Sequence, residues 1–193
     1  MQVEVVLTGI GGQGVQLCAK TLAMAATAEG RQALLSAHYG GEMRGGQTEA
    51  SVVVADRDLR SVPILAATWS AFVMHPKYWP GVEERLRPGG VVVANSTVVG
   101  DLDAEGYRVF PVPAGDLAVA LGASMSAGFV LLGAYNAITG MVGLDALIDA
   151  MRELVPPYRT QHLAANEAAL RAGHDAVTTL AAPAWPAGAG VAS

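Results

Sequence analysis

A glycine-rich loop between a predicted strand and a predicted helix constrains the fold of this chain more than any other feature. Residues 3–8 form a mostly apolar run typical of a buried strand, and residues 15–26 have the composition of a helix. Between them, Gly9, Gly11 and Gly14 match the strand–GxGxxG–helix pattern. In that pattern the glycines permit a tight turn, close approach of a ligand, and packing of the helix on the strand. The sequence therefore predicts a Rossmann-like unit whose helix N-terminus presents free N–H groups to an anion.

The pattern does not continue as it does in a typical nicotinamide site. Such a site needs Asp or Glu about twenty residues further on, at the tip of the second strand, to bind the ribose hydroxyls. The predicted second strand, residues 32–37, is followed by His38, and Arg31 precedes it. The sequence therefore has neither the acidic residue that would select NAD nor a basic residue placed to select NADP at this position. A second interpretation stays open, in which the glycine loop only packs against a helix or a partner chain.

The remaining elements indicate an α/β fold: a Rossmann-like, mostly parallel sheet with flanking helices and a C-terminal helical extension. The glycine-rich loop after the second strand can join an antiparallel pair, so we allow for one antiparallel strand. Pro111 cannot donate to a ladder and predicts an edge strand. The further predicted strands are residues 49–55, 68–74, 91–94 and 107–112, and the further helices are 77–86, 116–121, 126–139, 143–154 and 159–172. We expect one domain over residues 1–175 and a tail over 176–193. The low-complexity stretch 181–193 of that tail should be mobile unless Trp185 packs on the domain.

Composition excludes several classes of protein. Apolar residues make up 52% and charged residues 15% of the 193-residue chain. This excess predicts a surface covered by a partner subunit, although a genomic bias toward Ala and Gly would produce it too. The net charge of −5, without a basic run, argues against nucleic-acid binding. The sequence has no uninterrupted run of about 18 apolar residues, so we expect no membrane span. A strand is predicted directly at the start, without a leader peptide, which predicts a cytoplasmic protein.

Few residues suggest chemistry in their own right. Cys18 is the single cysteine, so the chain can form neither an internal disulfide nor a cysteine-based cluster, and we expect a buried small residue there. No catalytic set and no metal site can be assigned from spacing. His75 and Asn95 follow predicted strands, where each can contact a ligand or simply form a turn.

A second glycine-rich segment, from Tyr39 to Gly46, is more specific. Glu42 and Arg44 lie between glycine pairs, the second of which is Gly45-Gly46. An arginine there can bind a phosphate or carboxylate with two parallel hydrogen bonds. The alternatives are an internal Glu42–Arg44 pair and a contact with a partner chain.

The two motifs in order resemble the gamma subunit, or gamma domain, of 2-oxoacid:acceptor (ferredoxin) oxidoreductases. The residues that carry the resemblance are Gly9-Ile10-Gly11-Gly12-Gln13-Gly14-Val15 and Tyr39-Gly40-Gly41-Glu42-Met43-Arg44-Gly45-Gly46. The similarity covers about residues 1–175, and the tail from Ala181 matches nothing. Gly41 stands where many members carry proline, which makes the loop more flexible without breaking the match.

The resemblance implies a role that the residues do not reveal by themselves. Enzymes of this family decarboxylate a 2-oxoacid on thiamine diphosphate with Mg²⁺, pass electrons through 4Fe-4S clusters to ferredoxin, and release an acyl-CoA. Thiamine lies on alpha- and beta-type chains and the clusters on ferredoxin-like chains, while the gamma part is associated with coenzyme A and with assembly. The implied cofactor-binding residues are Gly9, Gly11, Gly12, Gln13, Gly14, Tyr39, Glu42, Arg44, Gly45, Gly46 and Asn95.

Two other functions remain open at this point. The chain could be a purely structural subunit, with its glycine loops buried against partner chains and the helix from Ser126 at the interface. It could also be a free-standing nucleotide-binding protein, which the missing acidic residue disfavours.

Overall fold

The computed structural model describes residues 1–39, 45–57, 59, 65–102, 104–177 and 180–186. The strands are β1 (Gln2–Ile10), β2 (Gln32–Tyr39), β3 (Gln47–Ala55), β4 (Thr68–Val73), β5 (Leu86–Asn95) and β6 (Arg108–Val112). The α-helices are α1 (Val15–Ala28), α2 (Trp79–Glu83), α3 (Ser96–Val99), α4 (Ala114–Ala120), α5 (Ala127–Thr139), α6 (Leu144–Leu154) and α7 (Leu163–Asp175). Short 3₁₀ turns occupy Pro76–Tyr78, Ser124–Ser126 and Pro157–His162.

The strands form one mixed sheet in the order β2-β3-β1-β4-β5-β6. β3 runs antiparallel to both β1 and β2, whereas β1, β4, β5 and β6 are mutually parallel. The expected fold class is confirmed, including the antiparallel strand and the edge position of Pro111 on β6. Because Thr48 pairs with both Gly9 and Tyr39, the carboxyl ends of β1 and β2 lie at the same edge of the sheet, separated by one strand.

Two apolar layers bury the sheet. On one face, Val5 and Leu7 of β1 pack with α1 and α5, and on the other, Val6 packs with Trp79 and Val82 of α2. Helix α7 lies along α5 and completes the larger layer. Residues 128–139 of α5 are all buried inside this chain. This helix is therefore not the open interface helix that the structural-subunit hypothesis assumes.

The helix expected at residues 77–86 is wrong in extent. Residues 76–78 form a 3₁₀ turn, α2 covers only five residues, and β5 already begins at Leu86. The backbone N–H of Thr68 donates to the carbonyl of Arg85 at 2.7 Å, which draws this segment into the sheet. Gly89, at φ 72°, lets β5 accommodate the Pro-Gly-Gly sequence of residues 88–90.

Residues 180–186 of the tail lie against the end of α5. Backbone N–H groups of Leu180, Ala182 and Ala184 donate to the carbonyls of residues 137, 138 and 139, at the end of α5. These carbonyls have no partner within the helix, so the tail satisfies them. Trp185 packs as expected: its Nε1 donates to the carbonyl of Met141 at 2.9 Å, and the Arg31 guanidinium lies 3.9 Å from its ring centroid. Residues 178–179 and 187–193 lie outside the described residues.

None of the described helices is both long enough and apolar enough to span a membrane.

Helices α5 and α7 approach so closely that their contact requires glycine. A methyl group added at Gly173 would overlap the carbonyl oxygen of Val130, and one at Gly133 would overlap that of Leu170. In both cases the obstacle is backbone, which cannot rotate away as a side chain can.

Replacing Gly173 by alanine is expected to lower the free energy of unfolding by about 1–3 kcal/mol, because the added methyl group must push two packed helices apart. Gly81→Ala is the matched control, since a methyl group there meets nothing within 4 Å. That variant gains up to about 1 kcal/mol of helix propensity. Urea unfolding followed by circular dichroism measures both, and equal changes in the two variants would contradict the packing argument.

Candidate functional site

The first glycine loop lies at the carboxyl end of β1, and each glycine has a distinct role. Gly12 and Gly14 have φ of 99° and 77°, values that other residues rarely adopt. A Cβ at Gly9 would lie 2.9 Å from Val15 Cγ2 and 3.0 Å from Met74 Cβ, so this glycine allows the strand to pack against α1. Gly14 is the N-cap of α1 and provides no side-chain cap, so the first N–H groups of the helix have no side-chain acceptor from the N-cap.

The side chain of Gln13 holds this loop in place. Its Oε1 accepts from the backbone N–H of Ile10 at 2.9 Å, and its Nε2 donates to the carbonyl of Met74 at 3.4 Å. Because Met74 directly follows β4, Gln13 ties the loop after β1 to the end of the next parallel strand. Its amide is therefore occupied by the protein and orients the loop.

The structure brings the two glycine motifs together. The N–H of Gly11 donates to the carbonyl of Gly46 at 2.9 Å, and a Cβ at Gly11 would lie 3.4 Å from the Gly45 nitrogen. The second glycine of the GxGxxG pattern thus allows close approach of the other loop. Glu42 and Arg44 lie outside the described residues, and Tyr39 is placed only by its backbone, paired with Thr48.

Asn95 lies at the carboxyl end of β5 and is 1% exposed. Its Oδ1 accepts from the backbone N–H of Gly115 at 3.2 Å, and Thr97 Oγ1 accepts from that of Asp116 at 3.1 Å. Both side chains thus orient the start of α4. His75 caps a turn, since its Nδ1 accepts from the N–H of Lys77 at 3.2 Å.

Two grooves flank the first glycine loop. The α7-side groove, of about 230 Å³, lies between the loop and the start of α1 on one side and the segment from Pro156 to Asn166 on the other. The β5-side groove, of about 360 Å³, lies over the carboxyl ends of β1, β4 and β5. Gly12, Gln13, Met125 and Gly128 line both. The β5-side groove occupies the point where the strand order reverses, which is where open α/β sheets bind ligands.

The two grooves differ in charge. Arg159 and His162 line the α7-side groove, and no carboxylate is among its lining residues in the described part of the chain. Asp116 lines the β5-side groove, where the described lining contains no basic side chain. Anions are therefore favoured on the α7 side. Met125, 81% exposed, stands between the grooves.

Sequence reasoning did not identify Met125, Arg159, His162 or Asn166 as site residues. They lie more than 110 positions after the glycine loop and belong to neither glycine motif. Only the packing of α5 and α7 brings them to the loop, and no local pattern could have indicated it.

Cys18 lies on the first turn of α1 and is buried, as expected. Burial raises the pKa of its thiol from 9.0 to about 12, partly opposed by a backbone hydrogen bond. The thiol therefore stays protonated near neutral pH and is a poor nucleophile. Among the residues that the structure describes, no three His, Cys, Asp or Glu side chains cluster as a metal site.

Comparison with known proteins connects this geometry to a family. The model of the family described as pyruvate ferredoxin/flavodoxin oxidoreductase matches residues 4–176. A 2-oxoglutarate synthase subunit KorC from Methanothermobacter thermautotrophicus is 28% identical over an alignment of 162 residues, which covers 80% of this chain and 85% of that protein.

Solved structures agree with that match. The gamma subunit of a keto/oxoacid ferredoxin oxidoreductase from Geobacter sulfurreducens has a TM-score of 0.79 and 26% identity, covering 91% of this chain and 96% of its own. A 2-oxoglutarate:ferredoxin oxidoreductase from Magnetococcus marinus, solved with 2-oxoglutarate, coenzyme A and succinyl-CoA, has a TM-score of 0.82. At 18% identity it shows the fold alone, and this chain, 92% of which is covered, corresponds to 32% of that one.

The raised pKa of Cys18 leads to a pH-dependent stability. Between pH 9.0 and about 12 the folded chain keeps a proton that the unfolded chain releases, so the free energy of unfolding falls as the pH rises through this window. The contribution of this thiol is at most about 1.4 kcal/mol per pH unit.

Urea unfolding at several pH values, compared between wild type and Cys18→Ala, isolates that contribution from the titration of other groups. The wild type is expected to lose stability more steeply than the variant. Equal slopes, together with rapid labelling of the folded chain by a thiol reagent at pH 8, would contradict the burial argument.

Proposed function

The chain belongs to the pyruvate ferredoxin/flavodoxin oxidoreductase family, and we propose that it is the gamma-type subunit of a 2-oxoacid:acceptor oxidoreductase. In this proposal it positions coenzyme A and contributes to assembly, while the complex converts a 2-oxoacid to an acyl-CoA and CO₂ and passes electrons to ferredoxin. Thiamine diphosphate, Mg²⁺ and 4Fe-4S clusters belong to alpha-, beta- and ferredoxin-like partner chains. One cysteine cannot provide the four thiolates of a cluster.

The contact between the two glycine loops is the observation that carries this proposal. This contact places the backbone N–H groups of the loops next to the uncapped N-terminus of α1 and to the two grooves. A pyrophosphate group needs such donors, because its non-bridging oxygens share the negative charge and accept hydrogen bonds. The Magnetococcus marinus structure, solved with coenzyme A, has the same fold, which supports this assignment.

Coenzyme A supplies the thiol that accepts the acyl group, and this chain binds and orients it. Gln13 holds the loop in one position through Ile10 and Met74, so the N–H groups at the helix start point in a fixed direction. Cys18, close by but buried and protonated, does not compete with the coenzyme as a nucleophile.

The arrangement of the strands argues against a free-standing nicotinamide enzyme. In the dinucleotide fold the second strand lies beside the first, so that its acidic tip meets the ribose. Here β3 lies between β1 and β2. The tip of β2 is therefore displaced by one strand spacing, about 4.8 Å, from the position that a ribose-binding residue needs.

A purely structural subunit remains the second candidate, and one observation favours an assembly role. Exposed apolar side chains surround the β5-side groove: Met125 at 81%, Val119 at 66% and Val98 at 43%. Apolar side chains gathered at one place are typical of a surface that a partner covers. We include assembly in the proposed function for this reason.

Assembly is tested by anoxic purification of the tagged chain from its own host, with mass spectrometry of the proteins that accompany it. Larger chains carrying thiamine diphosphate and iron are expected, because the catalytic groups belong to partners. A variant with charges on the exposed apolar patch, Val119→Asp with Met125→Asp, is expected to recover less of them. A chain that purifies without thiamine or iron would contradict the proposal.

Coenzyme A binding is tested in the assembled enzyme. A coenzyme A analogue with a photoreactive group is expected to label this chain, and excess coenzyme A to prevent the labelling. Arg44→Ala is expected to raise the KM for coenzyme A by about tenfold to a hundredfold, because a charge-assisted contact is lost. Arg108→Ala, an exposed arginine on β6, is the control. Unchanged KM and unchanged assembly in Arg44→Ala would overturn the role of Arg44, and absence of labelling would overturn coenzyme A binding.

A further inference from the structure

The strap, residues 180–186, connects the far ends of the two helices that begin at the first glycine loop. α1 starts after Gly14, and a Cβ at Gly128, near the start of α5, would lie 2.8 Å from the carbonyl oxygen of Gln13. With 14 and 13 residues, the two helices are each about 20 Å long. One end of each helix therefore borders the grooves, and the other end lies remote from them.

The strap docks on the remote end of α5 through its backbone. The N–H groups of Leu180, Ala182 and Ala184 donate to the carbonyls of residues 137–139 at 2.6 to 3.0 Å. Ala182 and Ala184 are buried, whereas residues 181 and 183 between and before them are exposed. The strap is therefore held along its length, with one side against the domain and the other in solvent.

Trp185 joins the remote end of α5 to the remote end of α1. Its Nε1 donates to the carbonyl of Met141, just after α5, and its ring centroid lies 3.9 Å from the guanidinium of Arg31, just after α1. The Nε atom of Arg31 is buried and has no hydrogen-bond acceptor among the described residues. A cation over an aromatic ring is attracted more strongly where water is excluded, so this contact is favourable.

A second link joins the same two ends without the strap. The N–H of Gly143, which begins α6, donates to Oε1 of Glu29, the C-cap of α1, at 2.6 Å. These groups are exposed, so water competes for the hydrogen bond. The contacts of Trp185 are part-buried and supply the better shielded link.

The strap lies beyond the part of the chain that the family model describes. That model ends at residue 176, four positions before the strap. Arg31 and Met141, which the strap contacts, lie inside the matched range. The strap is therefore an addition to the family's domain that is anchored on the domain itself.

The packing of α5 on α7 gives the strap leverage over the site. Gly133 is the middle residue of α5, and a methyl group there would overlap the carbonyl oxygen of Leu170 on α7. This close backbone contact acts as a fulcrum. If the remote end of α5 is released, the helix can rock about Gly133, and Gly128 at its start then moves relative to Gln13.

We propose that Trp185 is a positioning residue. Through the strap it fixes the remote ends of α1 and α5, and it thereby holds their starts at the separation that the grooves beside the glycine loop require. The inference rests on the proposed function, because coenzyme A is the ligand whose use reports on this separation.

The first experiment measures KM for coenzyme A and kcat in the assembled enzyme. Trp185→Ala is expected to raise the KM by about twofold to thirtyfold, the range of couplings carried through packed elements, and to leave kcat at the wild-type value. A merely structural role would reduce the amount of folded enzyme, which lowers the apparent kcat and leaves the KM unchanged. Ala181→Ser, at an exposed strap position, is the control and is expected to match the wild type.

Two further variants separate the strap from the tryptophan. Ala184→Asp places a charge at a position that is 1% exposed, so it is expected to release the strap and to raise the KM as Trp185→Ala does. Trp185→Phe keeps a ring for Arg31 but removes the donor to Met141, and an intermediate KM is expected.

Hydrogen–deuterium exchange of the strap amides shows whether the strap is released. Faster exchange at Leu180, Ala182 and Ala184 is expected in both Trp185→Ala and Ala184→Asp. Fast exchange with an unchanged KM, or a lower kcat with an unchanged KM, would overturn the proposal. Wild-type exchange in Trp185→Ala would overturn the anchoring role of Trp185. If the photoreactive coenzyme A analogue still labels this chain in those cases, the proposed function stands and only this inference fails.

Discussion

The site depends on one constraint of topology: β3 is inserted, antiparallel, between β1 and β2. β3 pairs with β1 along nine residues, so the chain entering β3 must pass the carboxyl end of β1. This is what brings Gly45 and Gly46 against Gly11 and converts two separate glycine segments into one loop pair. The same insertion moves the tip of β2 away from β1. It therefore removes the geometry of a dinucleotide site while it keeps the uncapped helix start.

A buried polar link positions α5 over this sheet, and α5 in turn shapes both grooves. Tyr135 Oη lies 2.8 Å from Ser70 Oγ, and Ser70 Oγ donates to the carbonyl of Glu4 at 2.9 Å. Burial raises the pKa of Tyr135 well above its ordinary value, so the hydroxyl keeps its proton. At the other end of the helix, a Cβ at Gly128 would lie 2.8 Å from the carbonyl oxygen of Gln13. The helix start therefore lies directly against the glycine loop, with one groove on each side.

The sequence predicted the parts of this site that are local and missed those that depend on packing. A glycine loop between a strand and a helix can be predicted from the sequence, because a positive φ, as at Gly12 and Gly14, strongly favours glycine. The contact between the loops was not predicted, since it depends on strand order. Arg159 and Asn166 have no local pattern, and only the contact of α5 with α7, through Gly133 and Gly173, places them. The partners of the tail could not be predicted for a related reason: its composition is that of a mobile segment, but the open carbonyls of α5 accept its hydrogen bonds.

The charge difference between the grooves has a consequence for the orientation of the coenzyme. Gly12 and Met125 line both grooves, so a ligand longer than one groove would cross the loop over these two residues. In the proposed function the thiol end of coenzyme A would extend toward the side where Val98, Val119 and Met125 are exposed. In the proposed complex the acyl group is formed on a thiamine-bearing partner, so the thiol must extend from this chain toward that partner. The apolar patch lies on the side of the loop where Asp116 lines the groove, so a partner that covers the patch also covers this groove. In the proposed function the carboxylate of Asp116 would repel phosphates, so the uncharged end of the coenzyme would be favoured on this side.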